Sequence, residues 1–251
     1  MLKKRIIPVL LWKEDSLVKG KNFLSSRRVG MLVPAIKIYN SRDIDELFFL
    51  NISATNNNSP PDENIVKQVA SECSVPLTVG GGIKELYQAQ YLLDSGADKI
   101  CLNTIPFYNK SILPSIAKKF GSQAVVGSID VKKIDGNYFC FSNSGKEKQN
   151  IHPVEWAKNL VAMGCGEILL TSIDHEGMMC GYDIEICREV SNSVRVPVVA
   201  NGGAGSYDHM YKALVETKIS AIAASNIFHY TDLTPLGAKK YLLNKGISIR
   251  K

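Results

Sequence analysis

Two glycine-rich segments of nearly the same sequence constrain the fold of this chain more than any other feature. PLTVGGGIK occupies residues 76–84 and PVVANGGAG occupies residues 197–205, so the two copies begin 121 residues apart. The same spacing aligns DELFFLNIS at 45–53 with GEILLTSID at 166–174. A repeat of this extent predicts a single domain, 1–251, built from two homologous halves at about 1–122 and 123–251.

Short apolar runs alternate with stretches of helical period along both halves. Eight of these runs are typical of buried strands: IIPVLLW, ELFFL, PLTV, KICLN, AVVGSID, EILLT, PVVA and AIAAS. Eight strands separated by helix-length segments predict a closed parallel (β/α)₈ TIM barrel rather than an open doubly wound sheet. The loops that follow the strands, at the C-terminal face, are then the expected place for chemistry.

Composition and charge exclude some classes of protein. The chain has 251 residues, 45% of them hydrophobic, which suffices for one barrel. The net charge is +6, but the basic residues are scattered and are not interleaved with aromatic ones. This pattern favours a small anionic ligand over nucleic acid. The apolar run near the N-terminus is followed by charge without a small-residue cleavage site, so it predicts a first strand and no membrane segment.

The six cysteines and four histidines show no metal-binding pattern. The chain has no CxxC motif, and several cysteines lie inside strand-like runs. We therefore expect reduced, mostly buried thiols in a cytoplasmic protein, with no metal and no organic cofactor. Cys101 and Cys180 stay open as lone catalytic thiols, and His175 stays open as a functional histidine in the loop after a strand.

Each glycine loop has the chemistry of a phosphate site. Gly81-Gly82 and Gly202-Gly203 allow the backbone to approach an anion and to direct its N–H groups at the anion's oxygens. The helix that follows adds its positive N-terminal end. Asn103-Thr104 and Ala224-Ser225 follow the next strands, and each pair can add a hydroxyl group. Two such sites in equivalent halves predict a ligand phosphorylated at both ends, whereas the alternative is that the glycines serve only turns.

The order of these motifs resembles that of the HisF family, the cyclase subunit of imidazole glycerol phosphate synthase. The matching segments run from Met1 to about Arg250: RIIPVLL, DELFFL, PLTVGGGI, GADKI, FGSQAVVGSID, VEWAK, GEILLTSID, GYD and NGGAG. The resemblance implies a (β/α)₈ barrel that binds a bisphosphorylated aminoimidazole ribotide precursor. It also implies a glutaminase partner (HisH-like) that docks on the opposite face and sends ammonia through the barrel. The phosphate-binding positions then fall on Gly82, Thr104, Gly203 and Ser225, with Lys19 in a mobile first loop.

The resemblance further implies an ammonia entrance formed by Arg5, Glu46, Lys99 and Glu167, and all four residues are present. Each residue stands at the start of a strand run, so a barrel would gather them at its N-terminal mouth. Two acids and two bases can compensate one another there, as buried charges must. The alternative is a salt-bridge cluster that serves only stability. Asp98, beside Lys99, is implied at the partner interface.

The catalytic end departs from the family pattern. The resemblance implies two aspartates at the ends of equivalent strands, acting as general acid and general base. Asp130 is one of them, but Leu11 occupies the position of the other. Leucine cannot transfer a proton, and loss of a positioned acid–base group costs about 10²–10⁴-fold in rate. Glu14 and Asp15 lie in the first loop, where we do not expect them to substitute.

Other departures fall at the same end of the barrel. Asn51 and Glu176 stand where the family has aspartate, Met178 replaces threonine and Asn201 replaces serine. Thr171 is expected in the same pocket. The face that would meet the substrate has therefore changed, whereas the charged entrance has not.

This contrast favours a paralogue over a cyclase. Leu11 and the segment 27–30 (RRVG) resemble the glycosyl-amidation-associated branch of HisF-like proteins (WbuZ-like). Members of that branch occur with a glutaminase and a sugar amidotransferase in surface-polysaccharide synthesis. We therefore predict a barrel that passes ammonia towards nucleotide-sugar amidation. The alternatives are a genuine cyclase subunit of histidine biosynthesis and a bisphosphate-binding scaffold without turnover.

Overall fold

The computed structural model describes residues 3–55, 57 and 60–250, and within them eight parallel strands close into a barrel. The barrel strands are β1 (Arg5–Lys13), β4 (Leu47–Asn51), β5 (Leu77–Gly80), β6 (Lys99–Leu102), β7 (Val125–Ile134), β10 (Glu167–Ser172), β11 (Val198–Asn201) and β12 (Ala221–Ala224). Each strand pairs with the next in this order, and β12 pairs with β1 to close the ring. The predicted (β/α)₈ TIM barrel is confirmed. The division into homologous halves stays a prediction.

Helices surround the barrel. They are α1 (Leu32–Asn40), α2 (Glu63–Glu72), α3 (Leu86–Asp94), α4 (Ile105–Tyr108), α5 (Ile112–Phe120), α6 (Pro153–Ala162), α7 (Ile184–Ser193), α8 (Tyr207–Glu216), α9 (Ile227–Tyr230) and α10 (Pro235–Asn244). Asp62, Asp183 and Ser206 cap helices by accepting hydrogen bonds from backbone N–H groups of the first turn. No helix in the described part of the chain is long and apolar enough to cross a membrane.

Alternation along the strands separates two hydrophobic cores. Ile6 and Leu47 face outwards and pack with the helices, whereas Ile7 and Phe48 face inwards and fill the barrel lumen. All four side chains are fully buried. The same alternation decides which polar residues meet at the two mouths of the lumen, because only inward-facing positions at the strand ends can reach them.

Two antiparallel extensions at the C-terminal face were not predicted. Strand β1 continues into β2 (Ser16–Lys21) and β3 (Ser25–Gly30), so the expected mobile first loop forms two strands. Strand β7 continues into β8 (Asn137–Ser142) and β9 (Glu147–Gln149). Asp135 and Gly136 join β7 to β8 with positive φ at both residues, the conformation for which Asp-Gly is favoured in two-residue hairpins. This dipeptide was the available sequence signal.

Candidate functional site

A cavity of about 860 Å³ opens at the C-terminal face of the barrel. Strand ends and the loops after them form its wall, as is usual for TIM barrels. The structure brings these predicted site residues together in the lining: Leu11, Asn51, Gly81, Gly82, Asn103, Thr104, Asp130, Thr171, Glu176 and Asn201. The predicted residues of the second glycine loop do not line this cavity. The roles assigned to all of these residues stay predictions.

Asp130 lies on the floor of the cavity. It stands in β7 in register with Thr171 of β10 and Phe141 of β8. Among the described residues, its carboxylate has no hydrogen-bond or ion-pair partner. Burial, with a smaller contribution from the charge of Glu176, raises the pKa of Asp130 from its ordinary 3.8 to about 7. A carboxyl group of this pKa can both give and take a proton near neutral pH.

Leu11 makes the opposite wall of the cavity apolar. It lies in β1 in register with Leu50 of β4 and Val18 of β2. Leu11 and Leu50 are partly buried against the lumen core, so the position offers packing and no proton transfer. Glu14 and Asp15 form the turn after β1 and are exposed. The carboxylates of Glu14 and Asp15 therefore do not lie at the strand-end position that the Leu11 side chain occupies.

Glu176 and Lys19 are buried groups of opposite charge near the second glycine loop, without a direct ion pair between them. Lys19 is 3% exposed, and its Nζ donates hydrogen bonds to Val9 O at 3.1 Å and to Ser225 Oγ. Burial lowers the pKa of Lys19 to about 8, against the opposing charge of Glu176. Burial also raises the pKa of Glu176 to about 6, and Lys19 opposes that rise. Both groups therefore lose their charge closer to neutral pH than the same groups do in water.

The first glycine loop reaches the cavity directly. Gly81 has a φ of 111° and packs so closely on the backbone O of Asn51 that a Cβ would not fit. Asn103 and Thr104 follow β6, and Thr104 Oγ1 accepts a hydrogen bond from Asn143 N at 3.0 Å. The Asn103 side chain donates to Ser128 O and Phe141 O, both at 3.3 Å. The first glycine loop and the Thr104 hydroxyl group, which are both expected at the first phosphate site, therefore line the same cavity.

The second glycine loop lies in a separate, much smaller space of about 10 Å³. It is lined by Gly202, Gly203, Ala224 and Ser225 together with Glu176. Ser225 Oγ donates to Val9 O at 2.7 Å and also accepts the Lys19 bond. The two glycine loops are therefore alike in sequence but differ in accessibility.

Asn51, Thr171 and Asn201 complete the polar lining of the cavity. Asn51 Oδ1 accepts hydrogen bonds from Ser53 N and Ala54 N, both at 3.1 Å, so it shapes its own loop. Asn201 Nδ2 donates to Thr171 Oγ1 at 3.2 Å, while Asn201 Oδ1 is buried without a partner in the described structure. The Asn201 oxygen is thus a buried acceptor next to the cavity, which is uncommon because buried polar atoms are nearly always paired.

The four residues expected at the ammonia entrance meet at the N-terminal mouth. Arg5, Lys99 and Glu167 begin their strands, and Glu46 directly precedes β4. Their contacts close a ring: Arg5 Nη1 to Glu46 Oε1 at 2.6 Å, Arg5 Nη2 to Glu167 Oε1 at 2.6 Å, Lys99 Nζ to Glu46 Oε2 at 2.9 Å and Lys99 Nζ to Glu167 Oε2 at 2.8 Å. Every charge in this ring therefore touches two opposite charges.

Electrostatics favour the ionised forms of Arg5 and Glu46 in the ring. Burial alone would raise the pKa of Glu46, but Arg5 and Lys99 outweigh it and lower that pKa. Burial alone would lower the pKa of Arg5, but Glu167 and Glu46 outweigh it and raise that pKa. Asp98, the predicted interface residue, is exposed at the same face and accepts a hydrogen bond from Leu77 N at 2.7 Å.

Sequence reasoning missed several polar residues along the lumen and the cavity. Thr78 lies in register with Lys99, just inside the ring, and its buried hydroxyl has no partner in the described part of the chain. Lys84 and Lys146 line the C-terminal cavity together with the first glycine loop. Lys84 follows Gly82 by two residues, and this proximity was a usable signal. The place of Lys146, in the turn after β8, depends on the unpredicted hairpin.

The cysteine and histidine candidates supply no reactive group at the cavity. Cys101 lines the cavity at the edge of the lumen core, but burial, more than the charge of Asp130, raises its pKa well above the ordinary thiol value. Cys180 is exposed. His175 Nδ1 lies 2.8 Å from Ser172 Oγ and 3.8 Å from Asp183 Oδ2, outside the cavity lining. In the described residues, no three acidic, histidine or cysteine side chains are grouped to hold a metal ion.

Comparison with known proteins gives a consistent result along the whole sequence. Residues 5–234 match the family described as histidine biosynthesis protein. A protein from Chlorobium phaeobacteroides (strain BS1) is 43% identical, and proteins from Chlorobaculum tepidum and Saccharolobus solfataricus are each 42% identical. All three are named imidazole glycerol phosphate synthase subunit HisF, and each alignment spans 250 residues and 100% of both chains.

Proposed function

The chain belongs to the histidine biosynthesis protein family, as a HisF-like barrel, and on that premise we propose that it receives ammonia from a glutaminase partner. The partner docks at the N-terminal face, over the ring of Arg5, Glu46, Lys99 and Glu167, and Asp98 belongs to its interface. The barrel then delivers ammonia to an acceptor other than the cyclase substrate. We further propose that it serves nucleotide-sugar amidation in surface-polysaccharide synthesis, together with a sugar amidotransferase.

The observation that carries this proposal is Leu11 opposite Asp130. A cyclase that works by paired acid and base needs two carboxyl groups at the strand ends, and the apolar packing of Leu11 supplies none. Loss of one positioned acid–base group costs about 10²–10⁴-fold in rate. A chain that keeps a fully formed charged ring but gives up one carboxyl group retains what ammonia transfer requires and loses what cyclisation requires.

A passage for ammonia is supported by the order of residues along the lumen. Thr78, whose buried hydroxyl has no partner among the described residues, is in register with Lys99 of the ring. The lumen core is apolar, and Ala221, in register with Arg5, and Ala223 contribute small side chains to it. An apolar lumen suits neutral NH₃ rather than NH₄⁺, because an unpaired ion loses its hydration there. The ring and the cavity then act at opposite ends of one route.

A second candidate function is the genuine cyclase of histidine biosynthesis. Glu176 lines the same cavity as Asp130, and the pKa values of the two carboxyl groups, about 6 and about 7, suit proton transfer near neutral pH. The names of the similar proteins point the same way. A scaffold that binds a phosphorylated metabolite without turnover is a third candidate, and it would need no glutaminase partner.

The experiment measures turnover of the bisphosphorylated ribotide precursor with saturating ammonium salt and no partner. Wild type is compared with Leu11→Asp and with the matched control Leu11→Asn, which has nearly the same shape as aspartate but cannot transfer the proton. We expect an inert wild type, an inert Leu11→Asn variant and a gain in Leu11→Asp of about 10²–10⁴-fold over both.

Two results decide between the candidates. A wild-type rate near that of an authentic cyclase overturns the proposal in favour of the histidine enzyme. For the scaffold, the decisive measurement is association of the full chain with a glutaminase. Binding of phosphorylated ligand without any glutaminase complex would identify a scaffold.

A further inference from the structure

The hairpin of β2 and β3 exposes apolar side chains at the C-terminal face of the barrel. Leu24, in the turn between the two strands, is 90% exposed, the highest value among the large hydrophobic side chains of the described chain. Met178, in the loop after β10, is 45% exposed. Asn22 N donates a hydrogen bond to Glu176 O at 2.8 Å, so the turn lies against that loop. Apolar side chains on neighbouring exposed segments gain free energy when a partner covers them.

The same hairpin has an open sheet edge. In the described structure, β3 pairs with β2 along one edge and with no strand along the other. Five of the six residues of β3 are exposed. The open edge of a strand presents backbone N–H and C=O groups that can bond to an extended segment of another protein.

Charge along the hairpin favours an acidic partner. Residues 21–30 (KNFLSSRRVG) contain three basic residues, Lys21, Arg27 and Arg28, and no acidic residue. All three are exposed. Complementary charge speeds the encounter with an acidic protein surface and disfavours a basic one. A nucleic acid would use the same bases but would leave Leu24 and Met178 uncovered, so the apolar side chains favour a protein.

Contacts with the barrel order the hairpin before any partner binds. Arg27 stacks on the ring of Tyr230 at 4.5 Å, and its Nε donates a hydrogen bond to the Tyr230 hydroxyl at 2.8 Å. Asn22 Nδ2 donates to Ile173 O at 3.1 Å and to Asp174 O at 2.8 Å. A surface that is already ordered loses less conformational entropy on association, which favours binding.

The hairpin stands at the mouth through which ammonia would leave. Leu24, Ser25 and Ser26 line the C-terminal cavity of about 860 Å³. Ammonia that reaches an uncovered cavity escapes into water and is protonated there. Direct delivery therefore requires that the protein that uses the ammonia covers this mouth and excludes water from it.

We propose that the open edge of β3, together with Leu24, Met178 and Arg28, is the docking surface for the sugar amidotransferase that consumes the ammonia. The segment that docks there carries apolar and acidic side chains. This inference rests on the proposed function, from which it takes the route of ammonia and the class of the acceptor enzyme. It adds the place and the chemistry of the contact, so that the barrel has one partner at each mouth.

The first test measures binding of a purified sugar amidotransferase to the full chain by isothermal titration calorimetry, without glutaminase. Leu24→Glu puts a negative charge into the apolar contact, and we expect the affinity to fall by at least about tenfold. The matched control is Val215→Glu, at a residue of α8 that is 54% exposed, and it should bind as wild type. Both substitutions are at exposed positions, where the fold tolerates them.

A second variant tests the charge of the surface. Arg28 stands 3.8 Å from Glu14 with its side chain 71% exposed, and Lys212 stands 4.0 Å from Glu216 with its side chain 63% exposed. Arg28→Gln should weaken binding by about three- to tenfold at low salt and by less at high salt. Lys212→Gln is the matched control and should bind as wild type. In the wild-type complex, backbone N–H exchange should slow in residues 25–30.

A third measurement adds the glutaminase and follows amidation of the sugar. Leu24→Glu should lower glutamine-dependent amidation by about tenfold and ammonium-dependent amidation much less, because dissolved ammonia needs no contact between the proteins. An amidotransferase complex that is unaffected by Leu24→Glu and by Arg28→Gln overturns the inference and leaves the proposed function intact. Leu24-dependent self-association of the chain, with no effect on amidotransferase binding, overturns it in favour of a second copy. Absence of any amidotransferase complex overturns both the inference and the proposed acceptor.

Discussion

The two mouths of the barrel hold the same kinds of charged residue under opposite conditions. At the N-terminal mouth, four charges make four contacts of 2.6–2.9 Å, and each charge has two partners. At the C-terminal cavity, the Asp130 carboxylate has no partner in the described structure, and Glu176 and Lys19 act on each other without a direct ion pair. At the N-terminal mouth, opposite charges in contact favour the ionised forms. At the C-terminal cavity, the carboxyl groups lack such contacts, and burial moves their pKa values towards neutral pH.

This difference separates structural from chemical use of buried charge. Within the ring, the pKa of Arg5 is raised and that of Glu46 is lowered, so both keep their charge across the physiological range and offer a constant surface to a partner. A carboxyl group with a pKa near 7 is costly to keep ionised, and proteins place such groups where proton transfer or ligand binding repays the cost. The comparison predicts opposite responses to mutation and to pH at the two ends.

The largest expected effect is a stability gain from Asp130→Asn. The folded-state pKa of Asp130, about 7, lies above the ordinary 3.8, so ionisation destabilises the folded chain as pH rises from about 4 to about 7. Asparagine removes that cost, and we expect a gain of at most about 4 kcal/mol at pH 8 that fades towards pH 4. Denaturant unfolding at several pH values measures it, with Asp15→Asn in the exposed turn as control. A stability gain that does not change with pH would contradict the hypothesis that the unpaired negative charge of Asp130 destabilises the fold.

The next effect in size is destabilisation by Glu46→Gln. The substitution leaves Arg5 and Lys99 to share the single carboxylate of Glu167, and breaking a buried ion pair on one side costs about 3 kcal/mol. The folded-state pKa of Glu46 is lowered, so its contribution is present above about pH 4.5 and is lost as pH falls through the lower folded value. Urea unfolding at pH 7 and pH 3 tests both points. Equal stability of the two proteins at pH 7 would show that the ring does not stabilise the fold.

Sequence alone predicted the barrel and the strand-end residues that line part of the cavity, for a physical reason. Strand ends in a closed parallel barrel meet at one face, so a glycine loop or an aspartate placed after a buried run is located by topology. The ring followed from the same rule applied to the strand starts. The difference in accessibility between the two glycine loops was not predictable. It depends on the position of the Glu176 side chain, which is set by the fold of the loop after β10. Lys19 and Lys146 likewise depend on hairpins that the apolar pattern does not specify.

A smaller effect distinguishes a gate from a stability element at the ring. Lys99→Ala, made in the Leu11→Asp background with the glutaminase partner bound, should change glutamine-dependent turnover by about tenfold and ammonium-dependent turnover much less. The reason is that ammonium salt supplies free NH₃ at the open cavity, while glutamine-derived ammonia must pass the ring. Both rates are measured in one preparation. Equal changes in the two rates would assign Lys99 to stability.

The smallest effect is expected at the rim of the cavity, where an ion pair has neither burial nor a network. Arg28 and Glu14 stand 3.8 Å apart with side chains 71% and 63% exposed, against 14% and 5% for Arg5 and Glu46 in the ring. Glu14→Gln should lower the free energy of unfolding by less than about 0.5 kcal/mol, since water and salt screen such a pair. Repeating the urea titration in high salt should remove even this difference. A loss as large as that in Glu46→Gln would mean that pairing, rather than burial within a closed ring, makes the N-terminal charges stabilising.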